Sequence, residues 1–150
     1  MSKVDFTIEG VDKIIDMMNE LGELPQKCVT GAAKDGAKIA LVSAKSKAPR
    51  DTGKLREGII LIGEKKPPGK AKKVYQVGMD PKMTSEFVHI TKDGKRSYYP
   101  GVVEYGYIAK DGTPVPGVHF LRDSLIDNYV PIERAIIDEL ARRIDKELKK

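Results

Sequence analysis

The chain contains no tryptophan, one cysteine and two histidines, and only 6% of its residues are aromatic. The single cysteine, Cys28, excludes an internal disulfide. Because His89 and His119 lie in separate segments, the sequence offers no zinc-ligand spacing. It also lacks the glycine-rich patterns GxxxxGK[ST] and GxGxxG that hold phosphates. We therefore expect no metal, nucleotide or other cofactor.

Long apolar runs are absent as well. The longest in the middle of the chain, residues 59–62, is far short of the roughly 20 residues that cross a bilayer. The chain begins without a basic stretch followed by an apolar one, so we expect neither export nor a membrane span. A length of 150 residues suits one domain with one core, residues 1–150.

The positive charge is concentrated in one loop. The net charge is +5, from 27 basic and 22 acidic residues, and residues 65–73 hold five lysines and no acid. Prolines and a glycine at residues 67–69 disfavour helix and central strand, which predicts an exposed hairpin tip. We name this segment the lysine loop; its lysines are Lys65, Lys66, Lys70, Lys72 and Lys73.

Three interpretations of the lysine loop stay open. A solvated tip that prevents edge pairing is the simplest, because charge runs usually do no more. The others are contact with DNA phosphates and contact with an acidic protein. No aromatic residue interrupts the loop, so any DNA contact would be blind to sequence. The chain as a small basic nucleic-acid-binding module is the alternative function.

Hydrophobic periodicity predicts a short strand and then a helix. Val4, Phe6 and Ile8 alternate with polar residues, as in a half-buried strand. From Val11 the spacing changes to three and four residues, which predicts an amphipathic helix that stops near Gly22.

A second, longer helix is predicted from Pro25 to about Ala48, since Pro49 disfavours helical backbone at the residue before it. Ile39 and Val42 are expected to add bulk to its inner face. Otherwise that face is small and contains Cys28, Val29, Ala32, Ala33, Gly36, Ala37, Ala40 and Ala44.

The rest of the chain mixes short strands with a closing helix. Residues 59–62 and 73–79 are predicted to pair around the lysine loop, and residues 86–91 to form a strand that turns at residues 92–95. Residues 98–105 fit a strand or a short helix equally well. A helix at about 118–148, broken near residues 128–131, follows a loop rich in glycine and proline.

Asp51-Thr52-Gly53 has two interpretations. The first is a capping turn, in which Asp51 accepts hydrogen bonds from the amides of a short helix. The second is the catalytic loop of a dimeric aspartic protease, which needs an apolar setting in which two carboxylates share a proton. Capping is favoured, because nearby cations would keep Asp51 ionised; they are Lys47, Arg50, Lys54 and Arg56.

Glu104 lies among apolar residues, where a carboxylate that is half buried needs a partner. Arg122, Arg56 and Arg50 are the candidates. A structural ion pair or an exposed carboxylate is favoured over catalysis, since no nucleophile or second acid is near in sequence. Four tyrosines suit packing or a subunit interface, namely Tyr98, Tyr99, Tyr105 and Tyr107.

Three segments in this order resemble the HK97 gp10-like family of tailed phages. The first contains Pro49, Asp51, Thr52, Gly53, Leu55 and Arg56; the second contains Tyr99, Glu104, Tyr105 and Gly106; the third is Phe120, Leu121 and Arg122. The sequence departs from the family pattern at Tyr107, where a threonine is usual, and at Asp123-Ser124, where Pro-Ala is common. Residues 108–111 look inserted, and residues 84–96 look longer than usual.

The resemblance implies a single α+β domain, in which a twisted antiparallel sheet is packed by a long helix in the N-terminal half and a C-terminal helix. It also implies a structural neck protein rather than an enzyme, with a role in tail completion or head–tail joining. Copies would form a hexameric ring at the head–tail junction or the head-proximal end of the tail. The partners would be tail-tube, tail-terminator and head-connector proteins, and the chain would be made in the bacterial host cytoplasm.

A ring subunit must present two different surfaces, because head-to-tail contacts close only between complementary patches. We expect these surfaces at residues 98–107 and on the second helix, which is rich in small residues. The lysine loop is expected to line the lumen of the ring or to contact DNA without sequence specificity.

Overall fold

The structure is a computed structural model that describes residues 11–19, 22, 24–65 and 71–149. Its helices are α1 (Val11–Asn19), α2 (Leu24–Lys47), α3 (Lys54–Gly58), α4 (Thr84–Phe87), α5 (Tyr99–Tyr105), α6 (Phe120–Ile126) and α7 (Tyr129–Leu148), with a 3₁₀ turn at Pro81–Met83. Its strands are β1 (Ile59–Gly63), β2 (Tyr75–Met79), β3 (Val88–Ile90), β4 (Arg96–Tyr98), β5 (Gly106–Ile108) and β6 (Pro114–Pro116).

The predicted α+β class is confirmed. Within the described residues, however, the strands form three separate two-stranded ladders instead of one twisted sheet: β1 with β2, β3 with β4, and β5 with β6. The last two are antiparallel, with Val88 opposite Tyr98 and Tyr107 opposite Val115. The strand predicted at Val4 to Ile8 lies outside the described residues.

The prediction for the second helix is confirmed almost to the residue, because α2 runs from Leu24 to Lys47 and Pro49 follows it. Residues 99–105 are helical, which decides between the two predicted alternatives. The predicted strand at 86–91 begins late, since α4 occupies residues 84–87. The predicted break near residues 128–131 is confirmed between α6 and α7, and Pro131 lies in the first turn of α7, where proline is tolerated.

The described residues divide into two compact units. Unit one draws on the described residues within 1–36, 63–75 and 130–150, and unit two on residues 37–62 and 76–129. In unit one, Cys28, Ala32 and Leu140 form a buried cluster. A Cβ atom at Gly36 would lie 2.4 Å from Cγ1 of Ile136, so glycine permits this close helix contact.

In unit two, Ala44 and Ala48 of the α2 region belong to the core around Ile59 and Phe120. Buried positions recur every four residues along α2 because small side chains let other elements approach closely. The small residues of this face are therefore used inside the chain, and a contact of α2 with another copy would have to use its exposed side. Val42 was wrongly assigned to the inner face, because 68% of it is exposed.

Candidate functional site

The three motif segments meet in the hydrophobic core of unit two. Leu55 from the first segment and Phe120 from the third are buried in this core. Tyr99 from the second segment and Leu121 from the third pack against it. The three motif segments are far apart in sequence but pack into one core.

Glu104 joins the second segment to the third. It is only 4% exposed, and its carboxylate accepts hydrogen bonds from two backbone amides at the start of α6. Oxygen Oε2 lies 2.9 Å from the nitrogen of Leu121, and Oε1 lies 3.0 Å from the nitrogen of Arg122. The first amides of a helix have no partner within the helix, so Glu104 satisfies two of them and places negative charge where the helix dipole favours it.

The backbone geometry before α6 explains why this carboxylate is needed. His119 occupies the N-cap position with φ 54° and ψ 36°, and its own side chain makes no capping hydrogen bond. The nitrogen of His119 instead donates to the carbonyl oxygen of Glu104 at 3.2 Å, and the nitrogen of Val118 donates to that of Val103 at 2.8 Å. Residues 103–104 therefore hold the segment that leads into α6 through both backbone and side chain.

Glu104 is buried rather than exposed, and the predicted arginine partners are wrong. Arg122 meets Glu104 through its backbone amide, while its guanidinium group donates to Oδ1 of Asp123 at 2.9 Å. Arg56 binds elsewhere. A guanidinium partner is unnecessary because two backbone donors already satisfy the carboxylate.

Arg56 binds the C-terminal end of a different helix, α2. Its Nε and Nη2 atoms donate to the carbonyl oxygen of Ala48 at 3.0 and 2.9 Å, and Nη2 also lies 3.4 Å from the carbonyl oxygen of Ser46. The last carbonyl groups of a helix lack partners within the helix, and a cation is favoured there by the dipole. Arg56 thus stabilises the C-terminal end of α2.

The capping interpretation of Asp51 is wrong. Gly53 occupies the N-cap position of α3 with φ 86°, and no side chain caps that helix. The nearest side-chain acceptor is the hydroxyl of Thr52, which lies 3.4 Å from the nitrogen of Lys54. A glycine in the left-handed region sets the start of α3, while Asp51 is exposed.

Two glycines allow a close backbone approach beside Glu104. Gly106 has φ 81° and ψ −176°, a region that essentially only glycine adopts, and a Cβ atom there would lie 2.2 Å from the oxygen of Val115. A Cβ atom at Gly117 would lie 2.2 Å from the oxygen of Glu104. The motif glycine Gly106 therefore has a steric role at the end of α5.

The hairpin of β5 and β6, with Tyr105 before it, presents an exposed aromatic surface. Tyr105, Tyr107 and Ile108 are each more than half exposed. A shallow depression is lined by residues 105–108 and 114–116, none of which carries a charge. We name this surface the tyrosine hairpin. In contrast, Tyr98 and Tyr99 pack against the core of unit two.

The lysine loop is described only at its ends, since Lys66 and Lys70 lie outside the described residues. Lys65 and Lys72 are exposed. The ammonium group of Lys73 donates to the carbonyl oxygen of Glu64 and lies 5.4 Å from the centre of the Tyr75 ring. Each end of the loop therefore has an exposed lysine, while Lys73 is partly covered.

Two polar residues near the end of α6 were missed at the level of sequence. Ser124 is fully buried, and its hydroxyl donates to the carbonyl oxygen of Leu121 at 2.6 Å. Asn128 donates from Nδ2 to Oγ of Ser43 at 2.8 Å and to the carbonyl oxygen of Ser124 at 2.9 Å. The break before Pro131 was the available signal, because a helix end requires such partners.

Over the residues that the structure describes, no cluster of three histidine, cysteine, aspartate or glutamate side chains is placed to hold a metal ion. In the same residues, no helix combines the length and apolar character that a membrane crossing requires.

Comparison with known proteins agrees with the resemblance. A model of the HK97 gp10-like family, described as "Bacteriophage HK97-gp10, putative tail-component", matches residues 12–106, which is more than half of the chain. The match contains the first two motif segments and ends before Phe120. Neither the comparison with curated proteins nor that with solved structures gives a match. The chain belongs to the HK97 gp10-like family of bacteriophage tail components.

Proposed function

We propose that this chain is a structural, non-enzymatic neck protein that completes the tail or joins the head to the tail. Copies form a hexameric ring in the virion, at the head–tail junction or the head-proximal end of the tail. The ring binds tail-tube or tail-terminator protein on one side and head-connector protein on the other. Membership of a tail-component family supports this role.

The observation that carries the proposal is that two of the charged motif residues, Glu104 and Arg56, bind backbone groups at helix ends. Both carboxylate oxygens of Glu104 accept hydrogen bonds from backbone amides of α6. Arg56 donates hydrogen bonds to carbonyl oxygens at the end of α2. Each of the two groups holds two segments of the chain together. Motif residues that stabilise the fold are consistent with a structural protein, which works by presenting binding surfaces to its partners.

Electron cryo-microscopy of purified particles that contain this chain tests the location. We expect a ring of density, into which the two units fit, where the capsid meets the tail or at the adjoining tail end. Particles in which the chain occupies only the distal tail, or from which it is absent, would overturn the proposal.

We further propose that the lysine loop faces the lumen and contacts DNA phosphates. Lys65 and Lys72 support this, because their side chains are exposed at the ends of the loop. Replacement of all five lysines by serine should reduce DNA retention at low salt; the five are Lys65, Lys66, Lys70, Lys72 and Lys73. Unchanged DNA retention and unchanged particle assembly would contradict the proposed DNA contact.

The salt dependence of DNA affinity separates this role from the alternative of a nucleic-acid-binding module. For the isolated chain we expect weak binding to duplex DNA. Micromolar affinity that falls steeply with salt, as neutralisation of several phosphates produces, would favour the alternative.

A further inference from the structure

The tyrosine hairpin needs a complementary surface on a neighbour if copies form the proposed ring, and the small-residue face of α2 is excluded because it is buried. The opposite face of α2 is available. Val42 is 68% exposed in the second half of this helix. Val42 lines a shallow groove with Lys45, Ser46, Arg56 and Glu57, which we name the Val42 groove.

The charge of the groove is as informative as its shape. Lys47 is paired with Asp127 and Lys54 with Glu86. Within the described part of the chain, Lys45 makes no hydrogen bond or ion pair, and it lines the groove beside Val42 with the exposed Glu57. An apolar side chain next to an unpaired ammonium group fits an uncharged aromatic surface, which offers both apolar contact and a ring face that attracts a cation.

The tyrosine hairpin has that character. Its depression is lined without a charged side chain, and Tyr105 and Tyr107 present exposed rings. Tyrosine is enriched at the centres of protein interfaces for this reason. The hairpin and the groove are different surfaces of the same unit, as a head-to-tail contact requires.

We infer that the tyrosine hairpin of one copy docks into the Val42 groove of the next copy, with the Tyr107 ring near Val42 and Lys45. This inference rests on the proposed ring and names the two surfaces that build it. A pairing of hairpin with hairpin would instead close as a dimer about a two-fold axis and could not continue into a ring.

A cysteine cross-link tests the contact. The double variant Val42→Cys/Tyr107→Cys of the full chain should give, on oxidation, a ladder of covalent multimers that collapses with reductant, whereas each single variant stays monomeric on the same gel. Cys28 can remain, since it is buried, and the wild-type chain controls for it. The matched control is Val42→Cys/Ile90→Cys, because Ile90 is 65% exposed on a different hairpin and should give no ladder.

Dimers from Tyr107→Cys alone, or an equal ladder from the Ile90 control, would overturn the inference. Native mass measurement of the wild-type chain, alone and with tail-tube protein, separates this failure from that of the ring. A closed wild-type oligomer without the specific cross-link contradicts the docking surfaces alone. No oligomer under either condition contradicts the ring and the docking together.

An energetic test uses Tyr107→Ala in that oligomer. We expect the dissociation constant between copies to rise about tenfold or more, because truncation of a central aromatic contact has effects of that size. Circular dichroism should show an intact fold, since Tyr107 is exposed. Unchanged assembly with an intact fold would contradict the inference.

Discussion

Oxygen Oε2 of Glu104 accepts a hydrogen bond from the backbone nitrogen of Leu121 at 2.9 Å, across seventeen positions of sequence. The usual acceptor in such a cap is the side chain of the N-cap residue itself, but here that residue is His119, whose side chain takes no part. A helix of unit two therefore depends for its start on a carboxylate from another helix.

Replacement Glu104→Ala should lower the free energy of unfolding by about 2–4 kcal/mol, because two amides at the start of α6 lose their acceptor in a buried place. Glu104→Gln should lose less, since one carbonyl oxygen remains. Urea unfolding measures both losses of stability. It is followed by circular dichroism because the chain has no tryptophan. Glu64→Ala is the control, since Glu64 is exposed, and a loss as small as in that control would contradict the capping role of Glu104.

Arg56→Ala should destabilise the chain by about 1–3 kcal/mol, because the carbonyl oxygen of Ala48 loses two charged donors. Arg56→Lys should recover only part of this loss, since one ammonium group cannot reproduce the planar pair of donors. Arg50→Ala controls for the loss of charge, because Arg50 is exposed. Equal unfolding midpoints for the Arg50 and Arg56 variants would show that the helix end needs no guanidinium.

Gly106→Ala should cost about 3 kcal/mol or more, because the added methyl group would meet the oxygen of Val115 and the backbone is in a region restricted to glycine. Gly112→Ala is the matched control. Gly112 has φ 84°, but a Cβ atom there meets nothing within 4 Å, so only the backbone strain of about 1–2 kcal/mol remains. Similar thermal stability of the two variants would refute the close approach at Gly106.

Stability should fall at alkaline pH because burial raises the pKa of the Tyr98 phenol. A raised folded-state pKa gives a contribution that is complete below the unfolded value of about 10 and is lost as pH rises through the folded value. Tyr98→Phe should therefore flatten the alkaline end of the stability profile, whereas Tyr107→Phe, at an exposed ring, should leave it unchanged. Parallel profiles for wild type and Tyr98→Phe would contradict the prediction.

The sequence predicted elements whose signal is local and repeated. The ends of α2 were predictable because Pro25 suits a first turn and Pro49 stops a helix. Residues 99–105 were ambiguous, since Pro100 and Gly101 suit neither a regular strand nor a long helix, and packing against the core selects the short helix.

The contacts of the motif residues were less predictable. The apolar neighbours of Glu104 left open whether it is paired or exposed, and side-chain cations were chosen as its possible partners because backbone amides carry no signal in sequence. Asp51 was favoured as a cap on residue type, whereas the left-handed conformation of Gly53 sets the helix start. Val42 was assigned to the core because periodicity finds an apolar residue but not whether a neighbouring element covers it.

Hydrogen exchange at the amides of Leu121 and Arg122 tests most directly the claim that Glu104 holds the third motif segment to the second. These amides lie in the first turn of α6 and would exchange readily without an external acceptor. We predict strong protection in the wild-type chain and selective loss of protection at these two amides in Glu104→Ala, which removes both acceptors, under conditions where that variant is folded. Fast exchange of both amides in the wild-type chain, or protection that is unchanged in the variant, would contradict the account.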